Sequence, residues 1–200
     1  ILSAGTVNIA RATYNEHAAA FSGAGWEIVQ GSADAHVVVH PNNPDGSLFS
    51  PDDPTKRLLV IDESFCDVCP ENSHIIRSVD KNTLVLKSFG KFWGLAGIRF
   101  GCAIGLPETL KNLKDILGPW PASGPALFIA NNALSNHGWA KKTRERLNNN
   151  MITLDNILTQ NGLKVIGGTS LFRLIFAPNA IELKNNLCKK NILTRTFPYS

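Results

Sequence analysis

The sequence predicts an α/β fold in which helices cover both faces of a mostly parallel, mixed β-sheet. Short β-branched segments alternate with helical segments along most of the chain, as they do in this fold class. Two of the strand segments, residues 37–39 and 58–61, are apolar at every position. Strands without apolar–polar alternation are typical of sheets that are buried on both faces, as parallel sheets are.

The first part of the chain contains five predicted strands. They lie at residues 26–30, 36–40, 57–61, 83–87 and 98–104. A capping box of Thr13 and Glu16 predicts a short helix that Gly23 and Gly25 close. Further helices are expected from Pro107 to Leu117, where Gly118 follows, and from Pro125 onward.

The pattern changes in the last third of the chain. A long helix is predicted over residues 141–161, with an apolar stripe of Leu147, Met151, Leu154 and Leu158 and a closing Gly162. A strand pair at 163–166 and 170–176, a helix over about 179–190 and a strand at 192–196 follow. We therefore expect a large domain over residues 1–145 without its N-terminal part, and a linking helix with an incomplete smaller α+β domain over 146–200.

Composition excludes several classes of function. The net charge is +4 and the basic residues are scattered, which suits a small anionic ligand better than a nucleic acid. No apolar run approaches the roughly 20 residues that a membrane span requires. The chain starts at Ile1 without a signal-peptide pattern, so we expect a fragment of a longer protein.

Cys66 and Cys69 form a C-x-x-C pair, a spacing that is compatible with zinc binding or redox chemistry. A structural zinc site needs four ligands, and neither Cys102 nor Cys188 supplies a second pair. We therefore expect no metal site and reduced, incidental cysteines, which would fit a cytoplasmic protein.

Polar residues follow three of the predicted strands where each strand ends. Asn43 follows the strand at 36–40, Asp62 follows the next, and Ser88 and Lys91 follow the strand at 83–87. Taken singly, these residues could form a turn, a helix cap or a charged surface, and Arg99 could belong to a surface ion pair. If the strands are parallel, however, the residues meet in the crevice where open α/β sheets bind ligands.

Three motifs carry a family resemblance. They are Pro-Asn-Asn-Pro-x-Gly at 41–46, Asp-Glu-Ser-Phe at 62–65, and Ser-Phe-Gly-Lys-Phe-Trp-Gly-Leu-Ala-Gly-Ile-Arg-x-Gly at 88–101. Together they resemble the pyridoxal-phosphate-dependent class I and II aminotransferase superfamily, whose large domain has fold type I. Residues 12–17 and 117–127 are most similar to the cobalamin-biosynthesis threonine-phosphate decarboxylases, which are related to histidinol-phosphate aminotransferases. The resemblance runs from about Thr13 to the end of the chain.

This resemblance implies two catalytic residues. Lys91 would carry pyridoxal phosphate through a Schiff base, which requires a lysine amine, and we expect partial burial to keep part of that amine neutral. Asp62 would hold the proton on the pyridine nitrogen, so that the cofactor can act as an electron sink.

The resemblance also implies four further contacts with the cofactor. Asn43 would donate a hydrogen bond to the phenolate oxygen of the ring. Arg99 would bind the phosphate through its planar guanidinium group, together with the Ser88 hydroxyl. Tyr14 would stack on the pyridine face. Phe65 stands where many aminotransferases have tyrosine and Gly90 where many have a second serine, and both differences favour the decarboxylase branch.

The implied function is decarboxylation of O-phospho-L-threonine to an aminopropanol phosphate by a cytoplasmic homodimer. The alternative is a histidinol-phosphate-type aminotransferase, which also acts on a small phosphorylated amine. A truncated or non-catalytic module of the same fold is the alternative from another class. The glycine-rich phosphate loop and the carboxylate-binding arginine of the family are expected outside residues 1–200, so we expect this chain alone to bind the cofactor weakly and to turn over little.

Overall fold

A six-stranded mixed sheet forms the larger part of the molecule. The computed structural model describes residues 3–50 and 57–197. The strands are β1 (Thr6–Ile9), β2 (Glu27–Val29), β3 (Ala35–Val39), β4 (Leu58–Asp62), β5 (Thr83–Ser88) and β6 (Gly101–Ile104). They lie in the order β2-β1-β3-β4-β5-β6, and every neighbouring pair is parallel except β5 with β6. The predicted α/β class with a mostly parallel mixed sheet is therefore confirmed.

The sheet also contains a strand that sequence analysis did not predict. In β1, Val7 and Ile9 are almost completely buried and pack in one core cluster with Val37 of β3. The intervening Thr6 and Asn8 are only partly buried, so the strand has one apolar face. Four residues with two apolar positions are too short a pattern to recognise without knowing the neighbouring strands.

The first helix, α1 (Asn15–Gly23), begins without the predicted capping box. Tyr14 occupies the cap position and its side chain caps no backbone amide. The Thr13 hydroxyl instead donates to Oδ1 of Asn42, 2.6 Å away, because the loop after β3 lies directly beside it. The predicted end of the helix is confirmed, since α1 stops at Gly23 and Gly25 has a positive φ of 81°.

Three helices follow β6: α2 (Pro107–Leu117), α3 (Gly124–Ser135) and α4 (His137–Gln160). Side chains cap two of them, because Ser123 Oγ accepts from the Ala126 amide and Asn136 Oδ1 accepts from the Trp139 amide. The Asn136 cap starts α4 four residues before the predicted position. No helix in residues 3–50 and 57–197 combines the length and apolar character needed to cross a bilayer.

A two-stranded hairpin and a short helix end the described fold. Strands β7 (Lys164–Thr169) and β8 (Phe172–Phe176) are antiparallel, and α5 (Ala180–Cys188) follows them. The predicted strand at 192–196 is wrong, since this segment has no regular structure. The Ile192 amide donates to the Leu187 carbonyl at the end of α5, and the sheet of the hairpin has only β7 and β8 within the described residues.

The hairpin contacts the loop after β3 through backbone atoms. The Gly168 amide donates to the Asp45 carbonyl over 2.7 Å. A Cβ atom added to Gly46 would collide with the Gly168 carbonyl, and one added to Gly167 would collide with the Asp45 carbonyl. Glycine at these positions therefore allows the two backbones to approach each other.

A Gly46→Ala variant is expected to lose about 3 kcal/mol of unfolding free energy, because the new Cβ combines a backbone clash with left-handed strain. The φ angle of Gly46 is +75°. Urea denaturation measures the effect. The matched control is Gly23→Ala, at a helical position with open space, where we expect no loss and a gain of up to about 1 kcal/mol. Equal stabilities of the two variants would contradict the close packing described here.

Candidate functional site

The parallel strands bring the predicted site residues to one edge of the sheet. In the register of the sheet, Val39 pairs with Asp62, and Asp62 pairs with Leu86. Asp62, the last residue of β4, therefore lies beside the loops after β3 and β5, which contain Asn43 and Lys91. Carboxyl ends of parallel strands are the usual place for ligands in such sheets.

The other three predicted site residues belong to the same edge. Ser88 ends β5 and pairs with Gly101 at the start of β6, so Arg99 lies just before the first residue of that strand. Tyr14 follows β1 and is 47% exposed. Its ring makes an edge contact with the imidazole of His17, with the ring centroids 5.5 Å apart.

Asp62 is the most buried of the predicted site residues, with 6% of its surface exposed. His17 Nε2 lies 2.8 Å from its Oδ2, and the backbone amide and hydroxyl of Ser64 both donate to its Oδ1. Burial by itself raises the pKa of this carboxyl group, but the hydrogen bonds from His17 and Ser64 outweigh it and lower the pKa below the ordinary value. Asp62 is therefore a buried, ionised carboxylate at neutral pH.

His17 also belongs to the site, although no motif in the sequence indicates it. It lies 45 residues before Asp62 in the sequence and reaches it because α1 follows β1 at the same sheet edge. The available signal was its spacing of three residues from Tyr14, which places the two rings on one side of the first helical turn.

A His17→Ala variant is expected to lose about 1.5–3 kcal/mol of unfolding free energy at neutral pH, because a buried carboxylate loses a hydrogen-bond partner. The folded pKa of Asp62 is depressed, so its contribution is complete above the ordinary value of 3.8 and disappears as the pH falls through the lower folded value. Denaturation at pH 7 and at about pH 2 measures this dependence. His137→Ala, at an exposed histidine, is the control, and equal losses in both variants would contradict the assignment.

Lys91 projects from the loop after β5. Its side chain is exposed, because the loop lies at the open edge of the sheet. The partial burial expected for the amine stays a prediction for the whole protein. The amine Nζ lies 5.4 Å from the centre of the Phe65 ring, and Phe65 makes an edge contact with Phe172 of β8. Lys91 has no carboxylate partner in the part of the chain that the structure describes.

The loop that carries Lys91 is held in place at both of its ends. Phe89 and Phe92 are 2% and 4% exposed and anchor the loop in the core. Ser88 Oγ accepts from the Gly90 amide, and the Gly94 amide donates to the Lys91 carbonyl. Since Ser88 uses its oxygen as an acceptor, its hydroxyl proton is still available to a ligand.

The polar groups of Asn43 and Arg99 are also available for a ligand. Arg99 is exposed, its φ is 52°, and its guanidinium group donates only to the Ala96 carbonyl among the described residues. The neighbouring Asn42 fixes the loop after β3, since its amide group donates to the Ala12 carbonyl and to Asp45. Asn43 is half-buried beside it, and its side chain has no hydrogen-bond partner within residues 3–50 and 57–197.

A buried ionic cluster lies next to this edge, and no motif in the sequence indicates it. Glu63 is completely buried and accepts from Ser73 and from Lys87, whose Nζ also lies 2.8 Å from Asp67. Burial lowers the pKa of Lys87, but the charges of Asp67 and Glu63 outweigh it and raise that pKa above the ordinary value. Asp67 also accepts from the indole of Trp93, two residues after Lys91, so the cluster connects β4 and β5 to the lysine loop.

The chemistry of these groups limits what the edge can bind. It offers an amine, an ionised carboxylate, an amide and a guanidinium group, a set that suits a small anionic ligand with several hydrogen-bonding groups. None of the described residues forms a group of three or more His, Cys, Asp or Glu side chains that could hold a metal ion.

Comparison with known proteins gives three matches, one to a family model and two to individual enzymes. The model of the family "Aminotransferase class I and II" matches residues 26–197. A threonine-phosphate decarboxylase from Sinorhizobium sp. is 37% identical over 94% of this chain and 61% of its own length. A histidinol-phosphate aminotransferase from Vibrio vulnificus is 30% identical over 80% of this chain and 50% of its own length.

A solved structure shows the same fold. It is that of histidinol-phosphate aminotransferase from Sinorhizobium meliloti in complex with pyridoxal-5'-phosphate. The TM-score is 0.87 and the sequence identity is 21%, over 98% of this chain and 63% of that protein. The chain therefore spans about three fifths of the length of that protein and of the Sinorhizobium decarboxylase.

Proposed function

Because this chain belongs to the aminotransferase class I and II family, we propose that it is the cofactor-binding part of a pyridoxal-phosphate-dependent decarboxylase. The substrate of the whole protein would be O-phospho-L-threonine, and the product an aminopropanol phosphate for cobalamin biosynthesis. The main support for this proposal is the arrangement at the sheet edge. The buried carboxylate of Asp62 ends β4, and the exposed amine of Lys91 follows the neighbouring parallel strand β5. The choice of substrate follows the 37% identity with a threonine-phosphate decarboxylase.

The residues at the edge fit pyridoxal phosphate group by group. The amine of Lys91 would bind the cofactor aldehyde covalently, which only a lysine side chain can do in this way. Asp62, kept ionised by His17 and Ser64, would accept a hydrogen bond from the protonated pyridine nitrogen. The Asn43 amide would donate to the phenolate oxygen of the ring.

The remaining contacts would fix the two ends of the cofactor. Arg99, which lacks a carboxylate partner among the described residues, would bind the phosphate through its guanidinium group, together with the Ser88 hydroxyl. Tyr14 would lie on one face of the pyridine ring, and its contact with His17 ties it to the Asp62 side of the site.

These residues would divide the work of decarboxylation. The bound cofactor supplies an electron sink for the charge that develops at the α-carbon of the substrate. Asp62 maintains the positive charge that such a sink requires, and Lys91 delivers the proton that replaces the departing carboxylate. Phe65 lies beside the Lys91 amine and offers no hydroxyl group, so Lys91 approaches the reaction centre over an apolar surface.

The proposal for the whole protein includes its assembly and location. We infer a cytoplasmic homodimer that acts on a small phosphorylated amino acid, with the residues that hold the substrate carboxylate outside this chain. We also propose a large domain over residues 1–145 and the start of a smaller domain over 146–200. The 200-residue chain alone is expected to bind the cofactor weakly and to turn over little.

An assay of the whole protein with O-phospho-L-threonine tests this function. The expected result is release of carbon dioxide in the presence of pyridoxal phosphate, with no requirement for a 2-oxo acid. The control substrate is threonine without its phosphate, which we expect to react much more slowly. Amine exchange that depends on 2-oxoglutarate, without release of carbon dioxide, would overturn the assignment.

The second candidate function is a histidinol-phosphate-type aminotransferase, which the 30% identity with such an enzyme favours. It would use the same cofactor residues. Two features favour the decarboxylase instead, namely Phe65 in place of a tyrosine and the Gly-Pro-Trp run at 118–120. A non-catalytic module of the same fold is a third candidate, and it predicts neither reaction in the same assay.

A further inference from the structure

We propose that Cys66 and Cys69 form a reversible disulfide, and that this dithiol is a modification site beneath the candidate active site. The two thiols lie on one short 3₁₀ turn, Cys66–Val68, which the Cys69 amide closes by donating to the Cys66 carbonyl over 2.9 Å. Both cysteines are free in this structure. The inference does not depend on the proposed function.

The geometry of the turn brings the two cysteines close to each other. Residues three apart in a 3₁₀ helix lie directly above one another, with their Cα atoms about 6 Å apart, inside the range that a disulfide spans. The Cys66 Sγ lies 3.7 Å from the Cys69 carbonyl oxygen, within hydrogen-bonding distance for sulfur. Pro70 begins the next turn and fixes the chain direction immediately after Cys69.

The two thiols have different roles in this arrangement. Cys66 is completely buried, whereas Cys69 is half-buried and open to a small reagent. The hydrogen bond from Cys66 lowers the pKa of Cys69 to about 7, although burial and the charges of Glu71 and Glu63 oppose it. The same hydrogen bond, burial and the Glu63 charge raise the pKa of Cys66. Cys69 is therefore the attacking thiolate, and Cys66 is the resolving thiol.

The reaction needs a small-molecule disulfide as the oxidant. The Cys69 thiolate attacks one sulfur of that disulfide, which breaks its S–S bond, releases one thiolate and leaves a mixed disulfide on Cys69. The released thiolate takes the proton of Cys66, and the Cys66 sulfur then attacks Cys69 and expels the second small thiolate, which takes a proton from water. Two protein thiols are oxidised, and one small disulfide is reduced to two small thiols.

The position of the dithiol connects it to the lysine loop. Asp67 lies between the two cysteines and accepts from the Trp93 indole over 3.0 Å and from Lys87 over 2.8 Å. Its backbone carbonyl accepts from Arg144 of α4 over 2.7 Å. Closing the disulfide fixes the turn that presents Asp67, so we expect oxidation to change the environment of Trp93.

Equilibration of the whole protein with mixtures of reduced and oxidised glutathione tests the proposal. Free thiols are then trapped by alkylation, and the tryptic peptide over residues 58–77, which contains no other cysteine, is analysed by mass spectrometry. The expected product is two hydrogen atoms lighter than the reduced peptide and carries no alkyl group. In a Cys66→Ser variant, we expect a glutathione adduct on Cys69 that does not resolve.

A second measurement follows the reactivity of Cys69 with pH. The alkylation rate of Cys69 should have its midpoint near the pKa of about 7, and a Cys66→Ala substitution should move that midpoint upward, because the hydrogen bond is lost. Trp93 fluorescence should change on oxidation of the protein and stay unchanged in a Cys66→Ser/Cys69→Ser variant. Full alkylation of both thiols in every glutathione mixture, a bond from either thiol to Cys102 or Cys188, or stoichiometric bound metal would overturn the proposal.

Discussion

A Lys91→Ala variant of the whole protein is expected to lose covalent binding of pyridoxal phosphate completely. In the proposed site the lysine amine would attach the cofactor, and alanine offers no replacement. The same amine is the proposed proton donor. We therefore expect the turnover of the variant, even with added cofactor, to be about 10²–10⁴ times lower than that of the unaltered protein with bound cofactor. Borohydride reduction followed by peptide mass spectrometry should locate the cofactor on Lys91 in the unaltered protein.

The exposed lysine at position 81 provides a matched control. A Lys81→Ala variant should keep both the label on Lys91 and the characteristic absorbance of the bound cofactor. If Lys91→Ala retained that absorbance and a reducible linkage, another amine would carry the cofactor and the assignment would be wrong. The neighbouring Lys87 is engaged with Glu63 and Asp67, which makes it a poor substitute.

An Asp62→Asn variant is expected to lower turnover by about one to three orders of magnitude. An opposite charge at short distance changes a pKa by about 1–3 units, and each unit corresponds to about 1.4 kcal/mol. Asparagine has the shape of aspartate without its charge, so the pyridine nitrogen would no longer keep its proton. Steady-state kinetics with saturating cofactor measures the loss.

The matched control is Asp115→Asn, at an exposed position that pairs with Lys111 in α2. We expect this variant to keep full turnover, because exposed ion pairs of this kind contribute little. Far-ultraviolet circular dichroism of both variants separates loss of fold from loss of chemistry. An Asp62→Asn protein that is folded and fully active would show that this carboxylate does not serve the cofactor.

The sequence was most informative where polar residues follow apolar strands. The segments before Asn43, Asp62 and Lys91 predict buried strands, and the parallel order of those strands places the residues at one edge. This inference needs only local pattern and a general rule of α/β folds. The ends of two helices could also be predicted from local sequence, because α1 ends at Gly23 and Gly118 caps the end of α2.

Contacts between distant segments could not be predicted in this way. The His17–Asp62 pair joins residues 45 positions apart, and the cluster of Glu63, Lys87 and Asp67 depends on how two strands and a turn pack together. The capping box failed for the same reason, because Thr13 found a tertiary partner in Asn42. The predicted strand at 192–196 did not form, because a strand also needs a neighbour to pair with.

The contact between the hairpin and the loop after β3 has a consequence for how this site could be redesigned. It is made by backbone atoms of Asp45, Gly46, Gly167 and Gly168, so it places no demand on the side chains at the hairpin tip. Ser170 and Leu171 can therefore be exchanged for other residues while the hairpin keeps its anchorage. The hairpin can therefore tolerate changes of side chain at its tip while its attachment to the loop after β3 is kept by the backbone.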